Sequence, residues 1–169
     1  REAEAIGASV RNFGFVTVTG QAAGETWRRA MRTRDVWDEI APPAGIAIEQ
    51  RGLVMTARRP EAMGVLEAFK AGAMGADCAL LTPAEAAGRV PALRAGALAG
   101  ALWSPHERRV ESRSAIPRLA RWLEATHAVT IHRSTHVHAA GDGRLETTRG
   151  RFTAERIVVC PGDERLALF

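Results

Sequence analysis

A loop bracketed by glycines near the start of the chain carries the residues best suited to touching a ligand. Gly7–Gly14 reads Gly-Ala-Ser-Val-Arg-Asn-Phe-Gly, which combines small residues with the hydrogen-bonding side chains of Ser9, Arg11 and Asn12. Glycine lets a backbone pass close to a flat polar ligand, and the three polar side chains supply donors. This composition fits an ordinary glycine-rich loop equally well. The surrounding elements must therefore distinguish a ligand-binding loop from an ordinary one.

A charged segment, Ser104–Arg109, is the second place where chemistry could occur. It reads Ser-Pro-His-Glu-Arg-Arg, and Pro105 predicts a loop between a strand and a helix, where functional residues are common. His106, Arg108 and Arg109 are the candidates for binding a substrate anion, since arginine holds a carboxylate or phosphonate through two parallel hydrogen bonds. The alternative is a solvated charged loop.

Three histidines could form a metal site. His132, His136 and His138 share one parity and would stand on one face of a strand, where three imidazoles could bind zinc. Their parity is opposite to that of the apolar residues, and no cysteine or acidic residue lies at a recognised ligand spacing. We therefore predict no metal site. The sequence also contains no nucleophile elbow and no Walker loop, so it identifies no catalytic residue.

The composition is that of an ordinary soluble globular protein, with 46% hydrophobic and 25% charged residues. No apolar run approaches the roughly 20 residues of a membrane helix, and no signal peptide is recognisable. We expect a cytoplasmic protein. Cys78 and Cys160 match no metal or redox spacing, and both are expected to be buried as small hydrophobic residues.

The net charge of +4 raises nucleic acid as a partner. Lys70 is the single lysine, however, and the arginines are dispersed without interleaved aromatic residues. We predict no nucleic-acid partner. A non-catalytic basic domain that binds RNA or a protein partner remains the alternative to an enzyme.

Periodicity and turn residues predict an alternation of helices and short strands. Pro42-Pro43 ends the first helix, and a Thr-Pro-x-Glu start at Thr82 predicts a capping box. The predicted helices are 25–40, 60–73, a short one from Thr82, and one beginning at Ser112 or Ser114. The predicted strands are 15–18, two within 46–56 around Arg51-Gly52, 78–81, 96–103, 135–139 with a hairpin at Asp142-Gly143, and 157–160 buried on both faces.

Taken in order, these segments resemble the FAD-dependent amine and amino-acid oxidoreductases of the D-amino-acid oxidase, glycine oxidase and sarcosine oxidase type. Gly7–Gly14 is similar to the family's Gly-Ala-Ser-x-x-Asn-x-Gly loop, which passes the pyrophosphate and flavin. Leu81–Glu85 resembles a helix start in the substrate domain. Thr135–Ala139 resembles the strand whose backbone meets adenine, and Ile157–Gly162 resembles the returning strand of the cofactor domain.

The resemblance implies an α+β fold, in which part of an FAD/NAD(P)-binding Rossmann-like domain accompanies a substrate domain on a mixed, mostly antiparallel sheet. Residues 1–45 would belong to the FAD-binding domain and residues 46–127 mainly to the substrate-binding domain. Residues 128–169 would supply a β-meander and the returning strand. The dinucleotide fingerprint and the ribose-binding acid would precede Arg1, with Glu2 and Glu4 as alternatives for that acid.

The resemblance also implies FAD as cofactor and a reaction, hydride transfer from a carbon bearing an amine to the flavin. Together with Cys-Pro-Gly-Asp at 160–163, where Ala-Gly-Ala-Trp is commoner, the loop most resembles a subgroup associated with organophosphonate breakdown. An aminophosphonate is therefore a candidate substrate. The implied cofactor contacts are the side chains of Ser9, Arg11 and Asn12 and the backbone of Gly7, Ala8, Val137 and Gly162.

Overall fold

The computed structural model describes residues 2–160, and these form two compact units. Unit 1 contains residues 2–14, 43–47 and 111–160, and unit 2 contains residues 15–42 and 48–110. Each unit combines helix with antiparallel sheet, which confirms the α+β class. The first helix belongs to unit 2, so the compact units divide the chain differently from the functional division at residues 45 and 127, which stays a prediction.

Unit 2 is built around one long central strand. Its elements are β1 (Phe15–Val16), α1 (Glu25–Ile40), β2 (Ile48–Ala57), α2 (Pro60–Ala71), β3 (Ala79–Leu81), α3 (Pro83–Arg89) and β4 (Gly100–Val110). β4 pairs antiparallel with β2 along one edge and with both β1 and β3 along the other. Every other strand of this sheet is therefore positioned by β4.

Successive residues of β4 alternate between the two faces of the sheet and bury apolar residues on both. Leu102, which is 1% exposed, packs with Ala57, Leu66 and Cys78. Its neighbour Ala101 is fully buried in a second cluster, with Leu81 and Ala86. The sheet thus has an apolar core on each face, and this explains why a Gly/Ala-rich sequence forms a stable strand here.

The loop predicted at 104–109 and the turn predicted at Arg51-Gly52 are both wrong, because these residues lie inside β4 and β2. Arg51 pairs with Arg108 and Leu53 pairs with Ser104, so Gly52 alone faces the extra residues between them. This bulge takes Pro105 out of the ladder of hydrogen bonds, and a proline is tolerated where no N–H is needed.

The predicted helices are confirmed. α1 and α2 have nearly the predicted bounds, and α3 begins with the expected capping box. There the Thr82 hydroxyl accepts from the N–H of Glu85, and the Glu85 carboxylate accepts from the N–H of Thr82. No helix in the part of the chain that the structure describes is long and apolar enough to span a membrane.

Unit 1 holds α4 (Ser112–Thr126) and a three-stranded antiparallel meander of β5 (Val137–Gly141), β6 (Arg144–Thr147) and β7 (Gly150–Thr153). The predicted helix at Ser112 and the hairpin turn are confirmed. Asp142 and Gly143 both have positive φ, 48° and 72°, as a two-residue hairpin of this twist requires.

The strand predicted at 157–160 is wrong within the described residues. This segment joins no sheet, and Val158 is 83% exposed. A strand buried on both faces needs neighbouring strands and covering layers, and none of residues 2–160 supplies them. Cys160 is consequently exposed, against the prediction, whereas Cys78 is buried as expected. Gly162 lies outside the described residues.

The bulge yields a prediction about Gly52, whose φ is +81° and whose added Cβ would overlap the Trp103 ring and lie 2.8 Å from the Ser104 carbonyl oxygen. Gly20→Ala is the matched control, because Gly20 has φ +86° but open space around it. We expect Gly20→Ala to lower the free energy of unfolding by about 1 to 2 kcal/mol. Gly52→Ala should lose about 1 to 3 kcal/mol more, because of the overlap. Equal losses in chemical denaturation would contradict the close packing across the bulge.

Candidate functional site

The Gly7–Gly14 loop begins with one tight turn. The carbonyls of Gly7 and Ala8 accept hydrogen bonds from the N–H groups of Val10 and Arg11, at 3.1 and 3.2 Å. The N–H groups of Gly7, Ala8 and Ser9 have no hydrogen-bond partner among residues 2–160. Val10 is buried, whereas the side chains of Ser9 and Arg11 are exposed. The turn therefore presents three backbone donors, a hydroxyl and a guanidinium on its accessible side.

The Asn12 side chain is occupied within the loop itself. Its amide nitrogen donates to the carbonyls of Ala8 and Ser9, at 2.7 and 3.0 Å, and its oxygen accepts from the N–H of Gly14 at 2.7 Å. Gly14 has φ +72°, which favours glycine at this position. Asn12 thus uses both kinds of hydrogen-bonding atom to hold the shape of the loop.

Ser112, the first residue of α4, fixes the loop to the rest of unit 1. Its side chain is buried, with the residue 4% exposed. The hydroxyl donates to the Asn12 carbonyl at 2.8 Å and lies 3.3 Å from the Val10 carbonyl. Val137 lies in the same unit, at the start of β5, and no hydrogen bond among the described residues joins it to the loop. Sequence reasoning missed Ser112, whose only signal was its place at a helix start.

In unit 2, Arg108 uses its whole guanidinium within the protein. Nε and Nη2 each donate to the carboxylate of Asp38 at 2.8 Å, and Nη1 donates to the carbonyls of Pro105, His106 and Glu107. The side chain is 11% exposed. Hydrogen bonds from Arg108 lower the pKa of Asp38 to about 2, against the opposing effect of burial. This pair joins α1 to β4.

His106 is buried beneath α1, with 3% of its surface exposed. Its Nδ1 lies 2.8 Å from Nη1 of Arg34, and its Nε2 lies 3.8 Å from the Asp77 carboxylate. A guanidinium can only donate, so Nδ1 is the acceptor and the neutral ring carries its proton on Nε2. Burial, and secondly the charge of Arg34, lower the pKa of His106. Its imidazole is therefore held neutral, as the acceptor of the hydrogen bond from Arg34.

Sequence reasoning missed a buried polar cluster on the same strand. The hydroxyls of Ser104 and Thr19 lie 2.7 Å apart, and Oε1 of Glu107 accepts from the N–H of Thr19 at 2.6 Å. Oε2 of Glu107 is buried without a partner among the described residues. Burial raises the pKa of the Cys78 thiol, which also contacts Ser104. The signal that could have found the cluster is a strand pattern continuing through Ser104 past Pro105.

Arg109 differs from its two neighbouring candidates. Arg108 contacts α1, so by strand alternation Arg109 lies on the opposite face of the sheet. It forms an ion pair with Glu49, and its side chain is 35% exposed. Because both charges contact solvent, this pair is weakly held. Arg109 is therefore the candidate whose guanidinium a ligand could most readily take.

The three histidines considered as metal ligands do not converge. The His132 ring packs on Phe152 with centroids 4.7 Å apart, and the His136 and His138 rings are 4.9 Å apart. Among residues 2–160, no three His, Cys, Asp or Glu side chains lie together so that they could hold a metal ion.

The similarity to known proteins extends over almost the whole chain. The profile of the family described as DAO, FAD dependent oxidoreductase, matches residues 1–166. Glycine oxidase from Geobacillus kaustophilus superposes with a TM-score of 0.70 at 26% identity, over 91% of this chain and 45% of that one. No curated protein sequence matches significantly.

Two more distant structures share the fold. L-proline dehydrogenase from P. horikoshii has a TM-score of 0.72 at 19% identity, over 87% of this chain and 41% of that one. L-amino acid deaminase from Proteus myxofaciens, in complex with anthranilate, has a TM-score of 0.70 at 16% identity, over 87% of this chain and 35% of that one. The chain thus spans less than half the length of each of these three structures.

The Asp38–Arg108 pair predicts a loss of stability on removal of the carboxylate charge. Asp38→Asn should lower the free energy of unfolding by about 2 kcal/mol, because Arg108 then lacks its counter-charge. Glu39→Gln is the control, since that side chain is 70% exposed on the same helix. The Asp38 contribution should be complete above pH 4 and should fall as pH drops from 3.8 towards 2, because the folded pKa is the lower one. Equal effects of the two substitutions in denaturant titrations would refute this role.

His106 predicts a second pH effect, at higher pH. Its pKa is lowered from 6.5 on folding, so its contribution to stability is present above pH 6.5 and is lost as pH falls through the lower folded pKa. His106→Gln, which keeps an acceptor for Arg34, should flatten the stability profile in this range. The exposed His138→Gln should not. An NMR titration of the imidazole that gives a pKa at or above 6.5 would contradict the account.

Proposed function

Because the chain belongs to the family of FAD-dependent oxidoreductases whose profile covers residues 1–166, we propose that it forms part of a flavoenzyme that oxidises the C–N bond of a small amine or amino acid. The family match over nearly the entire chain carries this proposal. The similarity to the glycine oxidase structure at 26% identity supports an amino-acid-like substrate. The resemblance of the loop to the phosphonate-associated subgroup supports an aminophosphonate as the specific candidate.

The Gly7–Gly14 loop suits one part of such a cofactor. The N–H groups of Gly7, Ala8 and Ser9 have no partner in the described part of the chain. Together with the Ser9 hydroxyl and the Arg11 guanidinium, they form a set of donors. Donors of this kind match the oxygens of a pyrophosphate or the carbonyl edge of a flavin ring. We propose that these residues bind FAD directly. The proposed backbone contacts of Val137 and Gly162 would add to them.

Asn12 has a different role in this proposal. Its amide already donates twice and accepts once within the loop, so binding FAD through it would break bonds that shape the loop. We therefore propose that Asn12 supports the contacts of Ser9 and Arg11 and does not replace them.

The chemistry divides between cofactor and protein. Bound FAD would supply the hydride acceptor. Arg109, on the face of the sheet away from α1, would bind the anionic group of the substrate, at the expense of its ion pair with Glu49. His106 and Arg108, with their ring nitrogen and guanidinium engaged by α1, would keep β4 in place for that contact.

The test of the proposed function uses the protein expressed from its complete gene. We expect it to purify yellow with a flavin absorption band, which should bleach anaerobically when the substrate is added. A panel of glycine, other small amino acids and aminoalkylphosphonates would identify the substrate class. A colourless protein that retards RNA in a gel would instead support the alternative of a basic binding domain.

Arg11 gives a residue-level prediction. Arg11→Met removes an exposed guanidinium at the proposed site and should weaken FAD binding by about tenfold, the equivalent of one charged hydrogen bond. Arg149→Met is the matched control, because Arg149 is also an exposed arginine in a turn of unit 1. Fluorescence titration of each flavin-free variant with FAD measures the two dissociation constants. If the two variants bind FAD with equal affinity, Arg11 does not contact the cofactor.

A further inference from the structure

The Gly7–Gly14 loop has no helix or strand to define its course. Two backbone bonds close its first turn, and the rest of its shape depends on side chains. The Asn12 amide closes the loop internally, since it joins Ala8 and Ser9 on one side to Gly14 on the other. These bonds fix a shape, but they do not fix where the loop lies in unit 1.

The Ser112 hydroxyl supplies that fixed position. It binds the carbonyl of Asn12, the residue whose side chain closes the loop, at 2.8 Å across 100 positions of sequence. The nearby carbonyl at 3.3 Å belongs to Val10, a buried residue of the same loop. Ser112 is itself held at the start of α4, where the Glu111 side chain caps the helix by accepting from the N–H of Arg113.

Burial makes this contact effective. Ser112 is 4% exposed, so water does not readily replace its hydroxyl, and an unpaired carbonyl would carry a desolvation cost. A loop that is held in one place before the ligand arrives loses less conformational entropy on binding. Loss of the hydroxyl should therefore loosen the loop and lower its affinity for the ligand.

We infer that Ser112 is a positioning residue for the cofactor loop, acting through the Asn12 carbonyl to hold Ser9 and Arg11 in a binding-ready arrangement. This inference rests on the proposed function for its ligand, FAD. It assigns to the start of α4 a role in cofactor affinity. Asn12 and Ser112 then act together to hold the loop. Asn12 closes the loop, and Ser112 anchors it.

The experiment compares two serines of the same helical turn. Ser112→Ala removes the anchoring hydroxyl, whereas Ser114→Ala removes an exposed hydroxyl that bonds to the local carbonyl of Glu111. In the protein expressed from its complete gene, Ser112→Ala should weaken FAD binding by about tenfold, as expected for the loss of one hydrogen bond. Ser114→Ala should leave the affinity unchanged.

Hydrogen exchange of the flavin-free protein gives a readout that does not depend on FAD. The amides of Val10, Arg11 and Gly14 should exchange faster in Ser112→Ala than in Ser114→Ala, while the amides of β4 are unaffected. Asn12→Asp, which keeps the acceptor for Gly14 and loses both donors, should accelerate the same loop amides.

The outcomes separate the inference from the proposed function. If the wild-type protein binds no FAD, the proposed function fails, and loop exchange still tests the anchor. If FAD binds equally well to Ser112→Ala and Ser114→Ala, Ser112 does not position the cofactor loop. Unchanged loop exchange in Ser112→Ala would overturn the anchor itself.

Discussion

The guanidinium of Arg108 is the central polar contact of unit 2, because it lies on β4, the strand with which every other strand of that sheet pairs. At the bulge in β4, Arg108 donates to three successive carbonyls, those of Pro105, His106 and Glu107. The same group grips Asp38 on α1 through two parallel hydrogen bonds. One side chain thereby stabilises an irregular strand and fixes a helix against it. Because β4 pairs with all three other strands of its sheet, a contact that holds β4 against α1 also places α1 against that sheet.

In unit 1, irregular backbone is likewise stabilised by polar side chains, but by uncharged ones. Its loop has no regular structure, and the Asn12 amide and the Ser112 hydroxyl satisfy backbone groups that a helix or sheet would otherwise pair. In both units polar side chains shape irregular backbone. The residues that we propose to bind ligands lie beside these segments: Ser9 and Arg11 are exposed in the loop, and Arg109 is partly exposed on the sheet.

The sequence was sufficient for elements with local signals. The capping box at Thr82, the hairpin at Asp142-Gly143 and the periodic helix 25–40 each depend on residues within a few positions of one another. The sequence did not predict features that depend on residues far away along the chain. Pro105 reads as a strand end, yet β4 continues past it because Gly52, on another strand, allows a bulge. Likewise no local pattern shows that Asn12 would be occupied by its own loop.

The sequence indicated where candidate site residues lie along the chain, but not the contacts that each of them makes. The loop and the 104–109 segment could be found from composition, and the resemblance gave the cofactor class. Which of His106, Arg108 and Arg109 has donors to spare depends on α1, whose Arg34 and Asp38 engage the first two. The most direct measurement is a crystal structure of the protein from its complete gene with FAD bound. We expect the Ser9 hydroxyl and the Arg11 guanidinium to lie within hydrogen-bond distance of the cofactor, and Asn12 to remain bonded within its loop. FAD bound away from Gly7–Gly14 would contradict this expectation.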